Sequence, residues 1–144
     1  MIEKVIAYIT SGDRLLVFRH TQHPEAGIQV PAGTVEGGEL PEEAVLREAH
    51  EETGLDNLVI RSYLGFREYD FTTHGEVEIH RWHFYHLEFK GDAPIRWRHY
   101  ERHPSNGSSN PIEFELFWVR VPDQIPELVP HQGDLLFYIK EKIK

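Results

Sequence analysis

Glu48, Glu51 and Glu52 stand at i, i+3 and i+4, and no other group in this chain combines so much charge with so regular a spacing. On an α-helix that spacing turns all three carboxylates toward one face, where they repel each other unless a cation lies among them. Oxygen ligands at this density suit a hard divalent ion, Mg²⁺ or Mn²⁺. The competing interpretation is a solvated acidic helix face, so the surrounding residues have to decide. Between Gly33 and Leu55 the chain carries seven glutamates (Glu36, Glu39, Glu42, Glu43, Glu48, Glu51 and Glu52) and one arginine, Arg47. The first part of this stretch is glycine-rich. Pro41 suits the first turn of a helix, where a missing N–H costs nothing, and Gly54 suits the left-handed residue just past its end. The spacing predicts a helix over Pro41 to Thr53, with Val45, Leu46 and Ala49 as an apolar arc that docks on a sheet.

The same stretch resembles the Nudix hydrolases, whose box is written G-x5-E-x7-R-E-U-x-E-E-x-G-U, with U a bulky aliphatic residue. Gly33, Glu39, Arg47, Glu48, Glu51, Glu52, Gly54 and Leu55 fall on its fixed positions without a gap, and the one departure is the small Ala49 at the first U. The resemblance implies an α/β/α sandwich with a mixed β-sheet between helices. It also implies metal-dependent hydrolysis of a pyrophosphate bond in a nucleoside diphosphate linked to another moiety. Nucleotide sugars, ADP-ribose, dinucleoside polyphosphates and nucleoside triphosphates all satisfy that description. By the same resemblance, Glu51 and Glu52 ligate Mg²⁺ or Mn²⁺, the Gly33 carbonyl adds a ligand, and Glu48 is either a ligand or the base that deprotonates water. Glu39 becomes an accessory, acting through a bound water or by bracing the loop, and Arg47 orients a glutamate by a salt bridge. Glu113, with Glu115 beside it, is the reserve base from a later loop. Family members are often homodimers, which makes a dimer an expectation here too. The rival reading is a Nudix-fold nucleotide sensor or interaction domain without turnover, although such proteins typically lose a box carboxylate and this chain keeps Glu48, Glu51 and Glu52.

The composition does not exclude a phosphate substrate, which an acidic enzyme approaches through a bound cation. A length of 144 residues with 40% hydrophobic and 12% aromatic content fits one domain with its own core. A net charge of −9 argues against a nucleic-acid polymer or a membrane surface as partner. With no cysteine there is no disulfide, thiolate nucleophile or zinc-thiolate site. The first twenty residues interleave charges with apolar residues, so neither a signal peptide nor a membrane span is expected, and the cytoplasm is the default compartment.

The elements that must position the carboxylates follow in order. Ile2 to Thr10 and Leu15 to Arg19, joined by Ser11-Gly12-Asp13, predict a hairpin. A polar turn over His20 to Gly27 offers Gln22, His23 and Glu25 as substrate contacts or as ordinary loop polarity, and Ile28 to Pro31 leads as a strand into the box. Leu58 to Arg67 and Val77 to Phe89 have strand composition. The second carries Trp82, Phe84 and Tyr85 on both faces, as in a covered central strand with a bulge, where the rings serve the core or Trp82 stacks on a substrate ring. His80 and His86 point one way and His83 the other, so they form no metal triad. IRWRHYERH, Ile95 to His103, gathers Arg96, Arg98, Arg102, His99 and His103 as a grip for phosphates or as solvated strand cations. A loop over His103 to Pro111, a strand over Phe114 to Val121 and a helix over Asp134 to Lys142 complete the chain. Leu135, Leu136, Ile139 and Ile143 line the buried stripe of that helix.

Overall fold

The computed structural model describes residues 1–101 and 110–143. Arg102, His103 and the adjoining loop up to Ser109 lie outside the described residues. Strand β1 (Ile2–Ser11) shows why two layers form around one sheet. Val5, Ala7 and Ile9 point to one face and Ile6 and Tyr8 to the other, and all are at most 1% exposed. A strand buried on both faces reads as a continuous apolar run, because each face needs its own cover.

The remaining strands are β2 (Arg14–His20), β3 (Ile28–Gln29), β4 (Ala32–Thr34), β5 (Leu58–Asp70), β6 (Ile79–Phe89), β7 (Arg96–Glu101) and β8 (Ile112–Arg120). Among the described residues they form one sheet in the order β5-β6-β1-β2-β8-β7, with β3 paired to β2 and β4 to β1. It is a mixed sheet, since β1 runs parallel to β6 while its other pairings are antiparallel. Helix α1 (Pro41–Thr53) covers the face of Val5, Ala7 and Ile9. Helix α2 (Phe137–Lys142) and the turns before it cover the face of Ile6 and Tyr8. This is the α/β/α sandwich expected from the sequence.

The hairpin is short-lived, and its fork builds the site. β1 and β2 pair only at Thr10↔Leu15 and Ser11↔Arg14. Beyond that point β4 takes the edge of β1 at Lys4, Val5 and Ile6, and β3 takes the edge of β2 at Phe18 and Arg19. Pro31 bridges the split: its carbonyl accepts the Ala7 N–H at 2.8 Å, so the diverging backbone leaves no orphan donor there.

Two expectations shift in detail. The irregularity expected in β6 lies on its partner: the register slips between Ile60 and Ser62 and between Tyr63 and Gly65 put the extra residues on β5. Gly65, at φ 128, supplies the conformation such a bulge needs. The last helix begins at Phe137 rather than Asp134, because the preceding turns close through three-residue bonds such as Asp134 N–H to the His131 carbonyl. The buried stripe survives the change, with Leu135 and Ile139 at 0% exposure.

Candidate active site

Helix α1 runs over the predicted span. Glu43 reaches back to the Leu40 N–H at 2.9 Å, Pro41 occupies the first turn, and Gly54 closes the end at φ 76 with its N–H on the His50 carbonyl. Glu43 is therefore a helix cap.

Arg47 is the hub of the loop–helix junction. Its Nε and one terminal nitrogen grip both oxygens of Glu39 at 2.7 and 2.9 Å, and the latter also donates to the Thr34 carbonyl at 3.1 Å. The other terminal nitrogen donates to Glu48 at 2.8 Å and lies 3.4 Å from Glu51. The forked guanidinium thus ties the glycine loop to two box carboxylates at once, which a point charge could not do. Glu39 braces rather than faces the site, and the Arg47 bond holds its carboxyl down at about 2.

Glu48 and Glu51 meet a carboxylate that the helix does not supply. One oxygen from each of Glu48, Glu51 and Glu101 lies within 4.8 Å of the others. Glu101 ends β7, whose inward face reads Trp97, His99, Glu101. Trp97 Nε1 donates to the Thr53 carbonyl at 3.0 Å and His99 Nε2 to the Glu51 carbonyl at 2.8 Å, so the strand caps the orphan carbonyls of α1 and delivers Glu101 to its acidic face. Sequence reasoning passed over Glu101 because the arginines around it drew the attention. The alternation of Trp97, His99 and Glu101 on one face was the available signal.

Glu52 faces inward from the trio. It is buried, its Oε1 accepts the Ala32 N–H at 2.8 Å, and it lines the cavity described below. Burial first, and then the charges of Glu101 and Glu48, push its carboxyl well above the usual range. Burial with the Glu48 and Glu51 charges pushes Glu101 up to about 7. Burial raises Glu48 as well, with Arg47 opposing. Three oxygen donors, two of them driven toward protonation chiefly by burial and further by neighbouring carboxylate charge, fit a hard divalent cation, which would remove the repulsion.

Gly33 is required by contact rather than by backbone conformation. A Cβ there would sit 2.0 Å from the Glu48 carboxyl carbon and 2.3 Å from both its oxygens. Beside it, at the fork of β1 and β2, opens a cavity of about 290 Å³. Glu52 and Glu101 form its acidic end; Ile6, Trp82, Ile112 and Phe114 are apolar walls, and Lys4, His20, Gln29 and Gln132 are polar ones. The Gln132 oxygen accepts the Val30 N–H at 2.8 Å, and its backbone carbonyl accepts the Tyr8 hydroxyl at 2.5 Å, so this wall is anchored in the core.

The other candidates divide by face. Trp82 lines the cavity, packed edge-on against Tyr69 at 4.8 Å, so it serves core and cavity together. His23 is on the exposed turn outside, paired with Glu25 at 3.1 Å, and Gln22 is exposed nearby. In register with each other, Arg96, Arg98, Glu113 and Glu115 occupy the face of β7 and β8 opposite Glu101, Ile112 and Phe114. Glu113 accepts from Thr21 at 2.6 Å and Arg98 at 3.3 Å there, away from the carboxylate trio.

A mixed sheet between helices, with a braced acidic helix packed on a glycine loop, gives an α/β domain with a buried carboxylate cluster of the kind that can hold a metal ion. The NUDIX domain family model matches residues 3–136, and the chain belongs to the Nudix hydrolase family. A UDP-X diphosphatase structure superposes with a TM-score of 0.66 at 18% identity, covering 99% of this chain and 64% of its own. The chain thus spans about two thirds of that protein's length. A NUDIX-family hydrolase from Clostridium perfringens gives 0.61 at 19% identity, over 99% and 95% of the two chains. The E. coli dihydroneopterin triphosphate pyrophosphohydrolase gives 0.51 at 21% identity, over 64% and 70%. At these identities the likeness is one of fold. Comparison with curated protein sequences gave no match. Among the described residues, no helix is long and apolar enough to cross a membrane.

Proposed function

We propose that this chain is a Mg²⁺- or Mn²⁺-dependent pyrophosphohydrolase that cleaves the anhydride of a nucleoside diphosphate linked to a second moiety. The observation that carries it is the convergence of Glu48, Glu51 and Glu101 within 4.8 Å at the acidic end of the cavity. Glu48, Glu51 and Glu101 would hold the cation, with the Gly33 carbonyl adjacent. When bound, the ion neutralises phosphoryl oxygens and makes a bound water more acidic.

The protein's own groups supply position and a proton acceptor. Glu48 is committed to Arg47 and backs onto Gly33, whereas Glu52 lines the cavity and, among the described residues, has only its Oε1 hydrogen-bonded, by the Ala32 N–H. We therefore assign the base to Glu52: it takes the proton of the attacking water as the water oxygen bonds to phosphorus and the P–O anhydride bond breaks. A carboxyl raised by burial is closer to the pKa a general base needs near neutrality. Arg47 acts through the carboxylates it orients and is a positioning residue. The UDP-X and dihydroneopterin triphosphate named for the structural neighbours share the phosphoric anhydride that such a site would cleave. Homodimerisation stays a proposal from family habit.

The test is release of phosphate or nucleotide across a panel of nucleotide sugars, ADP-ribose, dinucleoside polyphosphates and nucleoside triphosphates, with Mg²⁺ and with Mn²⁺. Turnover of at least one class is expected, and Glu51→Gln should lower it by roughly 10²-fold or more with the fold intact. Binding without turnover across the panel, or near-normal turnover by Glu51→Gln at saturating metal, would overturn the assignment.

A further inference from the structure

The basic side chains of β2 and β7 are not used by the chemistry above, and they converge on the opposite face of the same sheet edge. Arg19, His20, Thr21, Arg98 and Glu115 line a second cleft of about 220 Å³, and His20 is a wall of both this cleft and the catalytic cavity. The chain carries a net charge of −9, but here three guanidiniums, Arg19, Arg96 and Arg98, face two carboxylates, Glu113 and Glu115.

The carboxylates are placed as anchors for the arginines. Glu115 is 11% exposed at its side chain and its Oε1 takes Arg19 Nε at 2.7 Å, a terminal Arg19 nitrogen at 2.6 Å and Arg96 at 3.1 Å. Glu113, 12% exposed, takes one Arg98 nitrogen at 3.3 Å and the Thr21 hydroxyl. Each guanidinium carries five N–H donors, so these bonds fix direction and, among the described residues, use one nitrogen of Arg98 and two of Arg19. Hydrogen bonds from Thr21 and Tyr100, with the Arg98 charge behind them, hold the Glu113 carboxyl below its usual range, and at Glu115 the Arg19 and Arg96 guanidiniums outweigh the opposing effect of burial, so the anchors stay ionised. His20 adds a directed donor: its Nδ1 accepts the N–H groups of Gln22 and His23 at 3.3 and 3.2 Å, which leaves the proton on Nε2.

We propose that this cleft, on the opposite face of the β2-β8-β7 edge from Glu101 and meeting the catalytic cavity only at His20 at the end of β2, is an anion subsite that takes a carboxylate or phosphate carried on the second moiety of the substrate. Pre-oriented guanidiniums are the arrangement that recognises such planar or tetrahedral oxyanions. The assignment rests on the proposed pyrophosphohydrolase reading for its substrate, but not for its ability to bind an anion.

Two arms keep those apart. In metal-free protein with chelator, where the carboxylate trio repels anions, inorganic phosphate is titrated at constant ionic strength while backbone amide and arginine Nε–H resonances are followed. Saturable shifts are expected at Arg19, Thr21 and Arg98, with Gly33 and Glu51 unmoved, and Arg98→Gln should weaken the apparent affinity roughly tenfold. Arg98 is exposed, so this variant is not expected to disturb folding, and an unchanged Tm checks that. Shifts of equal size at the remote Arg14, Arg61 and Arg120, or none that saturate, would overturn the subsite. The second arm compares turnover of UDP-glucuronate with UDP-glucose, which differ by one carboxylate. Arg98→Gln should reduce the ratio of their kcat/KM roughly tenfold. An unchanged ratio in an active enzyme refutes a substrate-borne anion, while absence of any turnover by the wild-type protein counts against the hydrolase reading and leaves the titration to decide the subsite.

Discussion

Replacing Gly33 by alanine tests the geometry of the site through a single methyl group. Gly33 is not in the left-handed region, so alanine carries no backbone penalty, and the whole effect comes from space. The added Cβ would lie 2.0 Å from the Glu48 carboxyl carbon, against the roughly 3.5 Å that non-bonded carbons require. The carboxylate must therefore retreat by about 1.5 Å. It has little room to do so, because Glu48 is 5% exposed and is held by Arg47 at 2.8 Å. A displacement of about 1 Å at a reacting constellation can cost about 10²-fold in rate, and overpacking at a buried position costs about 1–3 kcal/mol of stability. Gly33→Ala should therefore weaken Mn²⁺ binding, followed by calorimetry, and lower kcat by about 10²-fold. Its Tm should fall as well. The clash needs both partners, so the double variant Gly33→Ala/Glu48→Ala should be more stable than the two single effects sum to, which a double-mutant cycle on denaturant unfolding detects. Wild-type metal affinity and turnover in Gly33→Ala, or strict additivity in the cycle, would refute the argument.

Protonation of Glu101 gives a stability signature. Its carboxyl is raised from the ordinary 4.5 to about 7, so the folded state binds a proton that the unfolded state has released between those values. That contribution is fully present below about 4.5 and is lost as pH rises through about 7. Metal-free protein should thus lose up to about 3 kcal/mol across this window, measured by urea unfolding, and saturating Mg²⁺ should flatten the profile. Glu101→Gln should raise the Tm of the metal-free protein at pH 8 while lowering turnover by about 10²-fold, and a lowered Tm there would contradict the repulsion invoked. Tyr8→Phe removes the donor to the Gln132 carbonyl and the acceptor for the Leu135 N–H, both buried in the cavity wall. It should cost about 1–3 kcal/mol in chemical unfolding, and a neutral result would mean that these groups find other partners.

Local patterns in the chain were enough for every element of the fold that has a strong period or a punctuating residue. Pro41 and Gly54 bracket α1 as expected, and β1 is covered on both faces because the six residues from Val5 to Thr10 are all buried and leave it no solvent side. The box resemblance implied that Arg47 pairs with a glutamate and that Glu39 serves the loop, and the folded chain makes Glu39 that partner. Where the sequence went astray, neighbours in space were responsible. The helix at the C-terminus starts late because Asp134 is engaged by Tyr69 at 2.6 Å and His131 at 3.1 Å. The bulges fell on β5 because register is settled by both strands of a pair.

The cluster Glu48, Glu51 and Glu52 that first marked this chain is the clearest case of that division. Helical periodicity alone put three carboxylates on one face, and tertiary contacts redistributed them. Ala32 offers an N–H that draws Glu52 inward, and β7, more than forty residues later in sequence, brings Glu101 to Glu48 and Glu51 because its Trp97 and His99 cap the end of α1. A local sequence pattern fixes the direction in which a side chain leaves its own backbone. Which charge it meets depends on strand order, the fork between β1 and β2, and the donors that buried backbone leaves open, and those exist only once the chain has folded.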